Sequence, residues 1–195
     1  MCPPLGCNFN DAVLVVSELS GTGKSLRVLP VVDQIHLLNS CSDNIGLVGL
    51  EGVSVYASYA CVPAITHSDG SWVTTVRPAK PGEELVAYAF GLGSPTTHFD
   101  TVAATPAGGV PLGRPVAISF TGIATQPGAA PDYVGLVGGS AGLYQINFHV
   151  PSVPANLAPC NGPAGFTQLA TNPFNLTMTL LGTASLDQAS FCVQP

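Results

Sequence analysis

The chain has 195 residues, a net charge of −6, only 8% charged residues and 46% hydrophobic ones. That is enough apolar surface for a folded core, and it excludes an intrinsically disordered chain. Five Lys and Arg in total are too few for a phosphate-binding surface, which works by clustering cations. Nucleic acid and anionic membranes are therefore not expected partners. Twenty-two glycines and 18 prolines predict many turns. No apolar run approaches the roughly 18–20 residues of a spanning helix, so no membrane insertion is expected.

In chain order, residues 1–10 read as an irregular segment containing Cys2 and Cys7. No cationic region followed by an apolar one opens the chain, so no secretory signal is read there. Strand-like runs then recur at Val13–Ser17, Leu26–Val32, Gln34–Leu38 and Val53–Tyr59. Further runs follow at Trp72–Val76, Leu85–Phe90, Val116–Thr121, Tyr133–Val137, Leu143–Val150 and Phe174–Leu181. The clearest is Tyr144–Val150, where Tyr144, Ile146, Phe148 and Val150 alternate with Gln145, Asn147 and His149. Successive strand side chains face opposite sides, so this segment predicts one apolar and one polar wall. Leu85–Phe90 is apolar on both faces, which predicts a central strand. No stretch carries the helical period over its length. The expected fold is all-β: an antiparallel sandwich with long loops at 94–115 and 151–173.

Six cysteines stand at 2, 7, 41, 61, 160 and 192. No C-x-x-C spacing supports a zinc ribbon or a thioredoxin-type motif. An even count without metal spacing predicts disulfides and an oxidising compartment; the alternative is a set of reduced core thiols. Of 15 connectivities, proximity and flanking strands favour Cys41–Cys61 and Cys160–Cys192, leaving Cys2–Cys7. Paired cysteines without an export signal suggest a piece of a longer exported protein, extracellular or at the cell surface.

Three motifs imitate catalytic ones. Ser20-Gly21-Thr22-Gly23-Lys24-Ser25 ends like a phosphate-binding loop, but Glu18 stands where the first glycine belongs. The following Leu26–Pro30 is not a helix start, so a hairpin turn is expected. Gly138-Gly139-Ser140-Ala141-Gly142 fits a hydrolase elbow, yet a strand rather than a helix follows. His149 also precedes Asp187 in the chain, the reverse of the hydrolase order. His67-Ser68-Asp69-Gly70-Ser71 concentrates triad residue types in one tight turn, where their side chains diverge. Asp43 and Asn44 lack the ligand spacing of a calcium loop. His36, His67, His98 and His149 show no paired metal spacing. Trp72, Tyr56 and Tyr59 suit either a glycan platform or the core, and the core is the commoner place for aromatics. No catalytic residue, metal ligand or cofactor is assigned, and no enzyme activity is expected.

A family resemblance rests on an ordered set of segments. They are His67-x-Asp69-Gly70-Ser71, Pro78-Ala79-Lys80-Pro81-Gly82-Glu83, Tyr88–Gly93, Tyr133–Val137 and Gly142–Pro151. Together they resemble the Solibacter-type uncharacterised C-terminal domain of acidobacterial exported proteins, over about residues 64–195. The resemblance implies an Ig/IPT-like sandwich that closes larger exported proteins, with no known activity. On that basis 64–195 is the main domain, and 11–63 is the remnant of a preceding sandwich. The expected role is a stalk, or a binding module for a polysaccharide or protein. The alternatives are association through an N-terminal edge strand and, remotely, a Ser140 hydrolase.

Overall fold

The computed structural model describes residues 12–15, 17–18, 21–23, 25–28, 33–39, 63–96, 104–121, 128–160 and 174–194. Cys2, Cys7, Cys41, Cys61, Asp43, Asn44, Tyr56, Tyr59 and His98 lie outside them, as does the expected strand Val53–Tyr59. Two compact units are present, 1–32 and 33–195. In the first, β1 (Ala12–Leu14) pairs antiparallel with β4 (Leu26–Val28). There β2 (Ser17–Glu18) and β3 (Gly21–Thr22) form a hairpin. The segment that imitates a phosphate loop thus begins in a hairpin, as its sequence predicts.

The second unit is a β-sandwich, and the described residues contain no helix. At the middle of its first sheet lie β7 (Glu84–Phe90) and β11 (Tyr144–His149). They are joined by six antiparallel pairs, from Tyr144↔Ala89 to His149↔Glu84. On the far side of β11 come β10 (Tyr133–Leu136) and then β8 (Val110–Pro111). Both β5 (His36–Leu37) and β6 (Ile65–His67) pair with β7. The second sheet has the order β13 (Leu186–Phe191), β12 (Leu176–Leu181), β9 (Ala117–Thr121).

Alternation fills the space between the sheets. Leu85, Ala87 and Ala89 of β7 point inward with Tyr144, Ile146 and Phe148 of β11. Leu176, Met178, Leu180, Ile118, Ala189 and Phe191 of the second sheet join the same core. Phe148 bridges the layers, with ring centroids 6.0 Å from Phe120 and 6.1 Å from Phe191, the latter edge-on. Both separations lie in the range of favourable aromatic pairs.

Polar ties close the sandwich at one end. Asp33, 5% exposed, accepts the backbone N–H groups of Thr183 and Ala184 in the β12–β13 turn. Ser185 Oγ accepts the Ile35 N–H at 2.9 Å, and the Asp187 carboxylate accepts the Leu37 N–H at 2.8 Å. Gly182 is required beside this carboxylate, because a Cβ there would run into the Asp33 oxygen. At the other margin, a disulfide joins Cys160 to Cys192, just beyond β13.

The division at 32/33 puts β5, expected in the N-terminal remnant, on β7 of the main sandwich. Three further differences have local causes. Leu186–Phe191 is a strand that its sequence hides, since its inward side carries Asp187 as well as Ala189 and Phe191. Ile65–His67 is a strand although it runs straight into a turn, because β7 offers it an edge. Trp72–Val76 forms only one bridge, Thr66↔Trp72, before bending at 75–77.

Asp33→Ala should lower stability by about 2–4 kcal/mol, since two turn N–H groups lose a charged acceptor; an unchanged urea midpoint would refute the tie. Replacing Cys160 and Cys192 together by serine should cost roughly 3–4 kcal/mol, the loop-closure value for their separation, read by the same unfolding titration.

Candidate functional site

Among the described residues, two places that gather chemically capable side chains stand out. The first is the turn leaving β6. His67 points inward with 6% exposure. Its Nδ1 lies 2.6 Å from Glu83 Oε1, and its Nε2 lies 3.3 Å from the Arg77 carbonyl oxygen. Both ring nitrogens are therefore engaged, and neither is open to a substrate. The other Glu83 oxygen accepts the Lys80 N–H at 2.8 Å. Burial works to raise the Glu83 pKa, but the His67 and Lys80 hydrogen bonds outweigh it and hold the carboxyl below its ordinary value of 4.5.

Asp69 is equally committed. It accepts Ser71 Oγ at 2.6 Å, the Ser71 N–H at 3.0 Å and Arg77 Nη2 at 2.7 Å. The Ser71 hydroxyl, the Ser71 N–H and the Arg77 guanidinium keep its carboxyl far below the usual range. The residues that resemble a triad form two separate structural pairs, as the tight turn predicts. Ser140, at the motif that imitates a hydrolase elbow, donates to the Val137 carbonyl at 2.7 Å. A strand follows it, and His149 is engaged elsewhere, 2.8 Å from Asp132. Among the described residues, no group of three or more His, Cys, Asp or Glu is arranged to hold a metal ion.

The second place is the outer face of the first sheet. Because inward and outward residues alternate, burying Ile146 obliges Gln145 and Asn147 to face out beside Tyr133. A shallow groove of about 450 Å³ lies there, lined by Ala107, Gly109, Tyr133, Gly138, Gln145 and Asn147 among others. The Tyr133 side chain lies along its own strand over Gly135, where a Cβ would collide with the phenol hydroxyl. Gly135 is what allows the aromatic side chain to lie along the strand. Gln145 Nε2 donates to Asn147 Oδ1 at 2.7 Å, and Asn147 Nδ2 donates to Glu84 Oε1 at 3.0 Å. These three polar groups therefore hold one another in fixed orientations.

Trp72, for which the core was the commoner expectation, is instead 42% exposed. Its bridge to Thr66 puts it on the outer face, while neighbouring Val73 goes inward and is buried. Sequence reading saw the polar wall of β11 but not Tyr133 as its neighbour. The signal lay in the alternation of Tyr133 with Val134 and of Gly135 with Leu136.

Comparison of the chain with protein-family models, with curated proteins and with solved structures finds no match.

The depressed Glu83 pKa makes a signed prediction. Its ionic contribution is complete above the ordinary value of 4.5 and is lost as pH falls through the lower folded-state value. Glu83→Gln should therefore lose about 1–2 kcal/mol near neutrality, and the gap from the parent chain should close on acidification. A gap that stays constant in urea titrations down the acid range would refute the assignment.

Proposed function

We propose that this chain is a non-enzymatic β-sandwich module of an exported or surface-attached protein, acting as a binding or adhesion domain. The observation that carries this reading is the commitment of its reactive side chains. Both nitrogens of His67, the Asp69 carboxylate and the Ser140 hydroxyl are all spent on internal hydrogen bonds. Among the described residues, the relief of an exposed sheet, rather than any of these groups, is left for a partner to meet. The Cys160–Cys192 disulfide agrees with an oxidising environment, and the Solibacter-type resemblance over 64–195 agrees with an exported module.

The edges of the sandwich point the same way. A free strand edge invites pairing with another chain. Here β8 is met by Ser94–Thr96, β6 by Ser71–Val73, and β9 by Ala129. The continuation of β13 pairs with Ala79 in parallel. Edge pairing keeps support in the N-terminal unit, where β1 and β4 form a two-stranded sheet. That ribbon favours a second reading, association through an N-terminal strand.

Light scattering on the oxidised full-length chain across a concentration series separates the two. A constant monomer mass is expected; mass that grows with concentration would favour edge association. Ester turnover that disappears in Ser140→Ala would overturn the non-enzymatic reading altogether.

A further inference from the structure

The two outer faces of the sandwich differ in chemistry. On the second sheet, cross-strand partners Ser190, Thr177 and Thr121 form one row, and Gln188, Thr179 and Ser119 the next. Those two rows are hydroxyl and amide, and an apolar row of Leu186, Leu181 and Ala117 follows them. On the first sheet, register places five residues in one line across the strands: Tyr133, Asn147, Val86, Thr66 and Trp72. At the usual strand spacing of roughly 4.8 Å, an aromatic stands at each end of a row about 19 Å long. Tyr88 and Gln145, cross-strand partners, occupy the adjacent row.

From this arrangement, and resting on the binding-module reading, we infer that the outer face of the first sheet binds an extended, neutral polysaccharide laid along the Tyr133–Trp72 row. A sugar ring presents a flat C–H face and a rim of hydroxyls that both donate and accept. The aromatic side chains at the two ends supply apolar surface for the C–H faces. Between them, the half-buried Asn147 amide offers a donor and an acceptor with Gln145 beside it, while Thr66 in the same row is buried. Gln145, Asn147 and Glu84 hold each other in place, so little side-chain freedom is lost on binding. The groove beside Tyr133 gives one end of the row depth for a ring or branch.

Charge selects the class of ligand. Of the cations in the second unit, none of Arg77, Lys80 and Arg114 belongs to the row. Glu84 and Asp132 border it instead. An anionic polymer would meet carboxylates with no counter-charge, so uronic and sulfated glycans fit poorly. An extended peptide would favour a free strand edge, and among the described residues β6, β8 and β9 each have a neighbouring segment there.

The test is affinity electrophoresis of the intact, oxidised chain. The gels contain hydroxyethyl cellulose, mixed-linkage β-glucan, glucomannan or dextran, with polygalacturonate as the anionic control. Retardation is expected in at least one neutral polymer and not in polygalacturonate. Tyr133→Ala and Trp72→Ala should each weaken it by about tenfold. Tyr133→Phe, which keeps the ring, should largely preserve it, and Thr177→Ala on the opposite face should leave it unchanged. Free migration of folded protein in all four neutral gels would overturn the inference, as would retardation indifferent to Tyr133 and Trp72. Retardation only in polygalacturonate, or capture by a protein in place of a glycan, would overturn it too. The underlying reading fails separately, on ester turnover or on concentration-dependent mass.

Discussion

The parity of β11 is the constraint on which the sandwich depends. Ile146 lies opposite Ala87 on one side and Val134 on the other, and it is fully buried. Once that row is set inside, the next row, Val86, Asn147 and Tyr133, must face out. A one-residue slip would exchange the rows and put Asn147 and Gln145 against Phe120 and Phe191. Core packing and the chemistry of the outer face therefore follow from one register. Phe148, touching a ring from each edge strand of the opposing sheet, fixes the second layer over the first.

Scarce charge is used economically around this core. Asp33, Asp69, Glu83, Glu84, Asp132 and Asp187 each accept at least one hydrogen bond. Several of these bonds come from backbone N–H groups in turns, which would otherwise lack a partner near the core. A protein with few ionisable groups has here put them where they order loops and strand ends. The low charge fraction and the turn-rich composition meet at several turns that a carboxylate or hydroxyl fixes, some from nearby and one from 150 residues away.

Much of this was legible in the sequence, for a physical reason. Strands that bury one face strongly, such as Tyr144–His149, Glu84–Phe90 and Leu176–Leu181, announce themselves by period two. Leu186–Phe191 did not, because Asp187 occupies an inward position, where the distant Leu37 N–H and the adjacent Gln188 N–H meet its two oxygens. Asp33 was equally silent: nothing local marks a carboxylate whose partners lie 150 residues onward. The outer face was half legible. Its amides could be read from alternation along one strand, whereas the line from Tyr133 to Trp72 exists only once five backbone segments are placed side by side.

The Asp33 tie also bears on how such a chain is made. Asp33, Ile35 and Leu37 are synthesised about 150 residues before Ala184, Ser185 and Asp187, which they meet. The first sheet can pair through β11 while only β9 of the second sheet has been made, because β12 and β13 follow β11 in the chain. High-separation pairings of this kind place all-β sandwiches among slower folders, on the order of milliseconds to seconds. Until β12 and β13 arrive, Leu85, Ile146 and Phe148 form a bare apolar sheet of the kind that aggregates. Pairing of β12 with both β13 and β9 is the event that covers them.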